Sequence, residues 1–248
     1  MRRSAVAWLT AVVLFIPRAA DPQGRQGPAS PRAAAPIDVT GTWTSVVTED
    51  WRWRMRTPPK GDYASLPLTE AAVKAANAWD PDRDAAAGEQ CRGYGAPAVM
   101  RLPGRIRISW ESDTTLRVDT EAGTQTRRFR FGGSPLAGTP SWQGSSVASW
   151  EPAGGRRGRG TPSGGSLRVV TKNLRPGYLR KNGVPYSADA VVTEFYDILM
   201  DDTTNDTWLI VTTMVEDPQY LSVPRYVTSS HFKKVAPGGW TPAPCEAR

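Results

Sequence analysis

Two carboxylates stand where a carboxylate can do acid–base work. Glu194 lies in Val192-Thr193-Glu194-Phe195-Tyr196, amid apolar neighbours, where it must either pair with a cation or rise in pKa through desolvation, as a general acid requires. Asp217, in Glu216-Asp217-Pro218, follows the apolar run Thr207 to Val215; an aspartate before proline is first of all a turn-maker. If the two converged, they would form the carboxylate pair of glycosidic bond cleavage. The single histidine, His231, alternates with Phe232 and is either a general base or a strand residue satisfied by its neighbours. Trp51 and Trp53 offer flat apolar faces, and Tyr196 and Tyr220 add phenols, a set suited to apolar or sugar ligands.

Placement of these groups depends on compartment and fold. Met1-Arg2-Arg3 followed by the apolar run Ala5 to Ile16 has the form of a signal peptide, and the run is shorter than the roughly 20 residues a bilayer demands. Residues 1–20 are therefore expected to be a signal peptide, and the Pro-, Ala- and Gly-rich residues 21–36 a disordered linker. Residues 37–248 remain as one domain. Export to the periplasm or beyond favours a disulfide between Cys91 and Cys245, the two cysteines of the chain, over two free thiols. With so few cysteines and histidines, zinc ribbons and multi-histidine metal sites are excluded, and no residue pattern calls for a cofactor.

The formal net charge is +7, but Arg2, Arg3, Arg18, Arg25 and Arg32 against Asp21 carry more than half of it. Arg156, Arg157 and Arg159 in the Gly-rich stretch Pro152 to Gly165 account for the rest. The domain is otherwise near neutral, without the basic stripe of a nucleic-acid binder. Those three arginines are candidates for peripheral contact with an anionic envelope surface.

Glycine (23) and proline (22) are abundant, which disfavours a helical bundle, and short alternating runs dominate from Ile37 onward. The first strand is expected from Val39 to Thr48. In Trp51-Arg52-Trp53-Arg54-Met55-Arg56 strict alternation predicts a further strand with Trp51, Trp53 and Met55 on one face and the arginines on the other. One helix is expected, capped by Thr69, with Val73, Ala76 and Trp79 on one side, ending at Asp80-Pro81. Strands follow around Ile106–Trp110, Leu116–Val118, Phe129–Phe131, 144–151, 166–172, 188–199, 207–215 and 226–235. The acidic loop 201–206 lacks calcium-loop spacing and reads as a hairpin turn. The fold class is all-β: an antiparallel meander closing into a barrel of about 8–10 strands, with one covering helix.

Two resemblances add to this. Gly41-Thr42-Trp43 at the head of the first strand is similar to the G-x-W signature of lipocalins, which implies a calycin-like barrel with the tryptophan across its closed end. The helix after strand one, and the lack of one after the last strand, depart from lipocalin order. The second resemblance runs through Cys91, Gly95, Pro97, Met100, Pro103, Trp142-Gln143-Gly144-Ser145, Trp150-Glu151, Thr193-Glu194-Phe195 and Glu216-Asp217-Pro218-Gln219-Tyr220. These look like a widespread family of exported bacterial β-proteins with no established activity. This implies export and an all-β fold and supplies no reaction. Where that family has W-E-G-D, this chain has Trp150-Glu151-Pro152.

The leading expectation is an exported barrel that binds an apolar or amphipathic small molecule. The alternatives are a carbohydrate-active or isomerising enzyme using Glu194 with Tyr196 or Tyr220, and an envelope structural or interaction protein.

Overall fold

The computed structural model describes residues 29–153 and 164–248. The expected signal, residues 21–28 of the expected linker and Arg156, Arg157 and Arg159 lie outside the described residues. Nine strands form a closed ring. The first half is β1 (Gly41–Val46), β2 (Arg105–Ser112), β3 (Thr115–Thr120), β4 (Thr126–Phe131) and β5 (Ser145–Pro152). After β6 (Gly165–Lys172) the chain makes a separate two-stranded hairpin, β7 (Gly177–Arg180) and β8 (Val184–Tyr186). It re-enters the ring through β9 (Val191–Asp201), β10 (Asp206–Glu216) and β11 (Tyr226–Val235), which pairs with β1. The ring order is β1-β11-β10-β9-β6-β5-β4-β3-β2.

The all-β barrel stands as expected, but the meander is not wholly antiparallel. A closed ring with an odd number of strands cannot alternate direction throughout, so one pair must run parallel. It is β4 with β5, and residues 132–144 form the crossover that returns the chain to the other end, the length such a connection needs.

The two barrel ends differ. One carries the short β2–β3 and β9–β10 hairpins. Residues 29–36, read from sequence as the end of the linker, lie against this end: the Trp150 indole donates to the Pro31 carbonyl (2.7 Å). At the other end the long connections 47–104 and 173–190 build a cap. It contains α1 (Trp51–Arg54), α2 (Glu70–Asn77), α3 (Pro81–Ala86), a 3-10 turn (Gln90–Tyr94), α4 (Ala96–Val99) and the β7–β8 hairpin. Thr69 caps α2 by accepting from Ala72 N. Asp80 then caps α3, with Pro81 in its first turn, so the expected stop signal also starts a helix. Ala76 of α2 packs on Leu179, Val184, Val215 and Leu221. The helix thus belongs to the cap rather than to the outer wall.

Residues 51–56 do not form the expected strand. β1 is already flanked by β2 and β11, and a closed ring offers no further edge to pair with. Asp50 adopts a left-handed conformation (φ 52) and the chain turns into the single helical turn α1. The alternating faces vanish: Trp51 and Met55 are exposed, while Arg54 is buried.

Alternation does hold around the ring. In β6, in β10 and in β9 as far as Tyr196 every second residue is buried. The lumen is filled by Trp43, Leu116, Phe129, Leu167, Tyr196, Leu209 and Phe232, all fully buried. Trp43 of Gly41-Thr42-Trp43 donates its indole N–H to the Val39 carbonyl (3.1 Å). Burying aromatic side chains of this size contributes roughly 1.5–3 kcal/mol each.

Candidate functional site: a cationic cavity in the cap

Glu194 points into the filled lumen and is fully buried. Arg127 grips it with both terminal nitrogens, Nη1 to Oε1 (2.8 Å) and Nη2 to Oε2 (2.6 Å), and the Tyr196 hydroxyl donates to Oε1 (3.2 Å). Thr171 accepts from Arg127 and exchanges a bond with Ser146. Burial opposes the Arg127 charge, yet the Glu194 carboxylate outweighs it and the Arg127 pKa is raised. Tyr196 is likewise pushed well up, by burial first and then by Glu194, so it stays a neutral donor. This is a structural ion pair sealed from solvent.

Asp217 does not join Glu194. Thr213 is the cross-strand partner of Glu194, and Asp217 lies four residues further along the chain, roughly 13 Å at strand rise. Its carboxylate accepts from Ser187 N (2.7 Å), Ser187 Oγ (2.9 Å) and Gln219 N (3.2 Å), anchoring the turn between β10 and β11. His231 is also engaged, through Nδ1 with Thr48 and Nε2 with Ser229.

The aromatic candidates are dispersed. Trp51 is on the surface, and Tyr196 is in the lumen. Tyr220 borders a cleft of about 390 Å³ beside Trp79, Tyr178 and Tyr186. Trp53 lines a different cavity of about 440 Å³, within the roughly 300–1,000 Å³ of typical ligand sites. Its indole N–H is shared between the Asp62 oxygens (3.2 Å each), and the Arg52 and Arg180 guanidiniums flank its ring at 5.6 and 5.3 Å.

This second cavity sits in the cap, between α1, the turn after α4, the β3–β4 hairpin, β7 and the C-terminal tail. Leu66, Leu102 and Leu179 supply apolar lining; Arg54, Arg56, Arg101, Arg180, Lys181 and Arg248 border it against Glu121 and Glu246. The turn α1 directs Arg54 inward, where Nε donates to the Arg101 carbonyl (2.8 Å). Arg101 in turn donates Nη2 to Asp50 (2.6 Å). Burial, then the Arg101 cation, lowers the Arg54 pKa to about 10. Burial also lowers that of Arg180 and raises that of the lining Tyr226.

The tail is held as the outer wall. Cys245 forms the expected disulfide with Cys91. Thr241 N donates to Glu121 Oε1 (2.7 Å), Thr124 Oγ1 to the Ala243 carbonyl (3.0 Å) and Glu246 N to the Tyr94 hydroxyl (3.2 Å). Gly123 is required beneath it: its φ is 69, and a Cβ there would collide with the Tyr94 ring.

Of the residues singled out from sequence, only Trp53 reaches this cavity. Arg54 and Arg101 were missed. The signal for Arg54 was the arginine in every second position of residues 52–56, which the strand reading placed together on one face; nothing in the sequence around Arg101 marked it. Chemically the cavity can desolvate an apolar group and hold negative charge. Compared with family models, curated proteins and solved structures, the chain matches none.

Proposed function

We propose that the protein is an exported, calycin-like barrel that binds an amphipathic small molecule in its cap cavity rather than in its lumen. One observation carries this reading: a cavity of about 440 Å³ joins Trp53, Leu66 and Leu179 to a concentration of cationic side chains, while the lumen is filled. Export is supported by the signal-like residues 1–20 and by the disulfide, and the calycin comparison by the closed barrel headed by Gly41-Thr42-Trp43. An enzyme built on Glu194 is less well supported, because that carboxylate is fully occupied and sealed.

The test is calorimetric titration of the mature, oxidised protein with single-chain amphiphiles. Leu66→Trp or Leu102→Trp, which fill the cavity, should abolish binding. Val118→Ala, which opens the lumen, should lower stability and leave binding unchanged. Binding that survives both cavity fillings and disappears in Val118→Ala would refute the reading.

A further inference from the structure

The cap cavity holds more positive charge than its own acids neutralise. Arg54 is 7% exposed, and its Nη1 and Nη2 have no partner; neither does Nη1 of Arg101. Of the two lining acids, Glu121 is committed to the Arg105 and Thr241 backbone N–H groups, and Glu246 lies exposed on the tail. Asp50 meets only one nitrogen of Arg101.

Water entering the cavity would satisfy N–H donors but would bring no counter-charge to Arg54, which, unlike Arg101 with Asp50, has no ion pair among the described residues. An oxyanion does both jobs. It has enough lone pairs for several donors, and the planar guanidinium fork matches carboxylate and phosphate oxygens. Trp53, Leu66 and Leu179, which line the same cavity, offer apolar surface.

We propose that Arg54 and Arg101 are the head-group subsite of this cavity and take the oxyanion of an amphipathic ligand, a carboxylate or phosphate monoester, whose apolar part lies toward Trp53, Leu66 and Leu179. This rests on the cavity reading above and adds the charge and position of the head group.

The experiment compares octanoate, octyl phosphate and 1-octanol binding to the oxidised protein by calorimetry. The two anions should bind at least about thirtyfold more tightly than the alcohol, and the tighter of the two identifies the head-group chemistry. Arg54→Met should remove that advantage and leave the affinity for octanol unchanged. Inorganic phosphate should displace the anions from the wild-type protein, a readout that does not depend on any variant folding. If octanol binds as well as the anions, or Arg54→Met weakens all three alike, the head-group assignment is overturned while the cavity reading stands. If none of the three binds, both fall.

Discussion

Arg127 and Arg54 are both buried, and burial acts against the charge of each. In the lumen, Glu194 overcomes that penalty and the Arg127 pKa is raised. In the cap, burial and then the Arg101 cation outweigh the Glu49 and Asp50 carboxylates, and the Arg54 pKa falls to about 10. The same residue type is thus a fastener in one region and an unmet demand in the other. Arg127 has two bonds to one carboxylate and a third to Thr171, with only Nε left over. Arg54 has one bond to a carbonyl and two free nitrogens. What distinguishes a neutralised buried charge from an unneutralised one here is chiefly the placement of acids.

The largest effect that separates the two regions comes from the lumen pair. Glu194→Gln should cost about 3–5 kcal/mol in urea unfolding, because it leaves Arg127 buried without its counter-charge. Replacing both Arg127 and Glu194 by methionine should recover much of that loss. A cost below about 1 kcal/mol for Glu194→Gln would break the comparison on the lumen side.

Next is the disulfide that fastens the tail over the cavity. Cys91→Ser with Cys245→Ser should lower stability by about 2–5 kcal/mol. Amphiphile affinity should also weaken, since one cavity wall loses its anchor. The same titration with reduced wild-type protein checks the second half.

Arg54→Met should behave oppositely to Glu194→Gln. Stability at neutral pH should stay level or rise by about 1 kcal/mol, as for other sites where function opposes stability. The pH dependence sharpens this. With the folded pKa of Arg54 lowered from its ordinary value to about 10, the unfolded chain binds more protons than the native one from about pH 10 up to the ordinary arginine range. Its contribution to stability therefore increases as pH rises through that window, and the stability difference between wild type and Arg54→Met should shrink there in paired denaturation curves.

The smallest effect is expected on the outer wall, where His231→Ala should change stability by no more than about 0.5 kcal/mol.

Much of the barrel was legible in the sequence. The run Leu167-Arg168-Val169 buries every second residue as its alternation implies; Leu209-Ile210-Val211, apolar throughout, also buries only every second residue, so the strand was legible and its outward face was not. The export-based argument for Cys91 and Cys245 anticipated their bond. The cap was not legible. Residues 51–56 alternate as cleanly as any strand, yet pairing depends on a free edge, and edges are a property of the closed ring rather than of local pattern. The parallel β4–β5 pair follows from strand parity, which needs an accurate strand count. Glu194 was readable as a buried carboxylate requiring a cation, but the choice of Arg127 among many arginines was not. The cavity itself draws on five segments separated by as much as the whole domain, and no local spacing marks such a meeting.

The most direct test of the central claim is the denaturation midpoint of wild type and Arg54→Met, each with and without octyl phosphate at about 100 times its Kd. Without ligand, Arg54→Met should be at least as stable as wild type. With ligand, wild type should gain about 2.7 kcal/mol and Arg54→Met, binding about thirtyfold more weakly or worse, no more than about 0.9 kcal/mol. A variant that is less stable than wild type by 2 kcal/mol or more, or that gains as much from the ligand, would contradict the assignment of Arg54 to ligand binding.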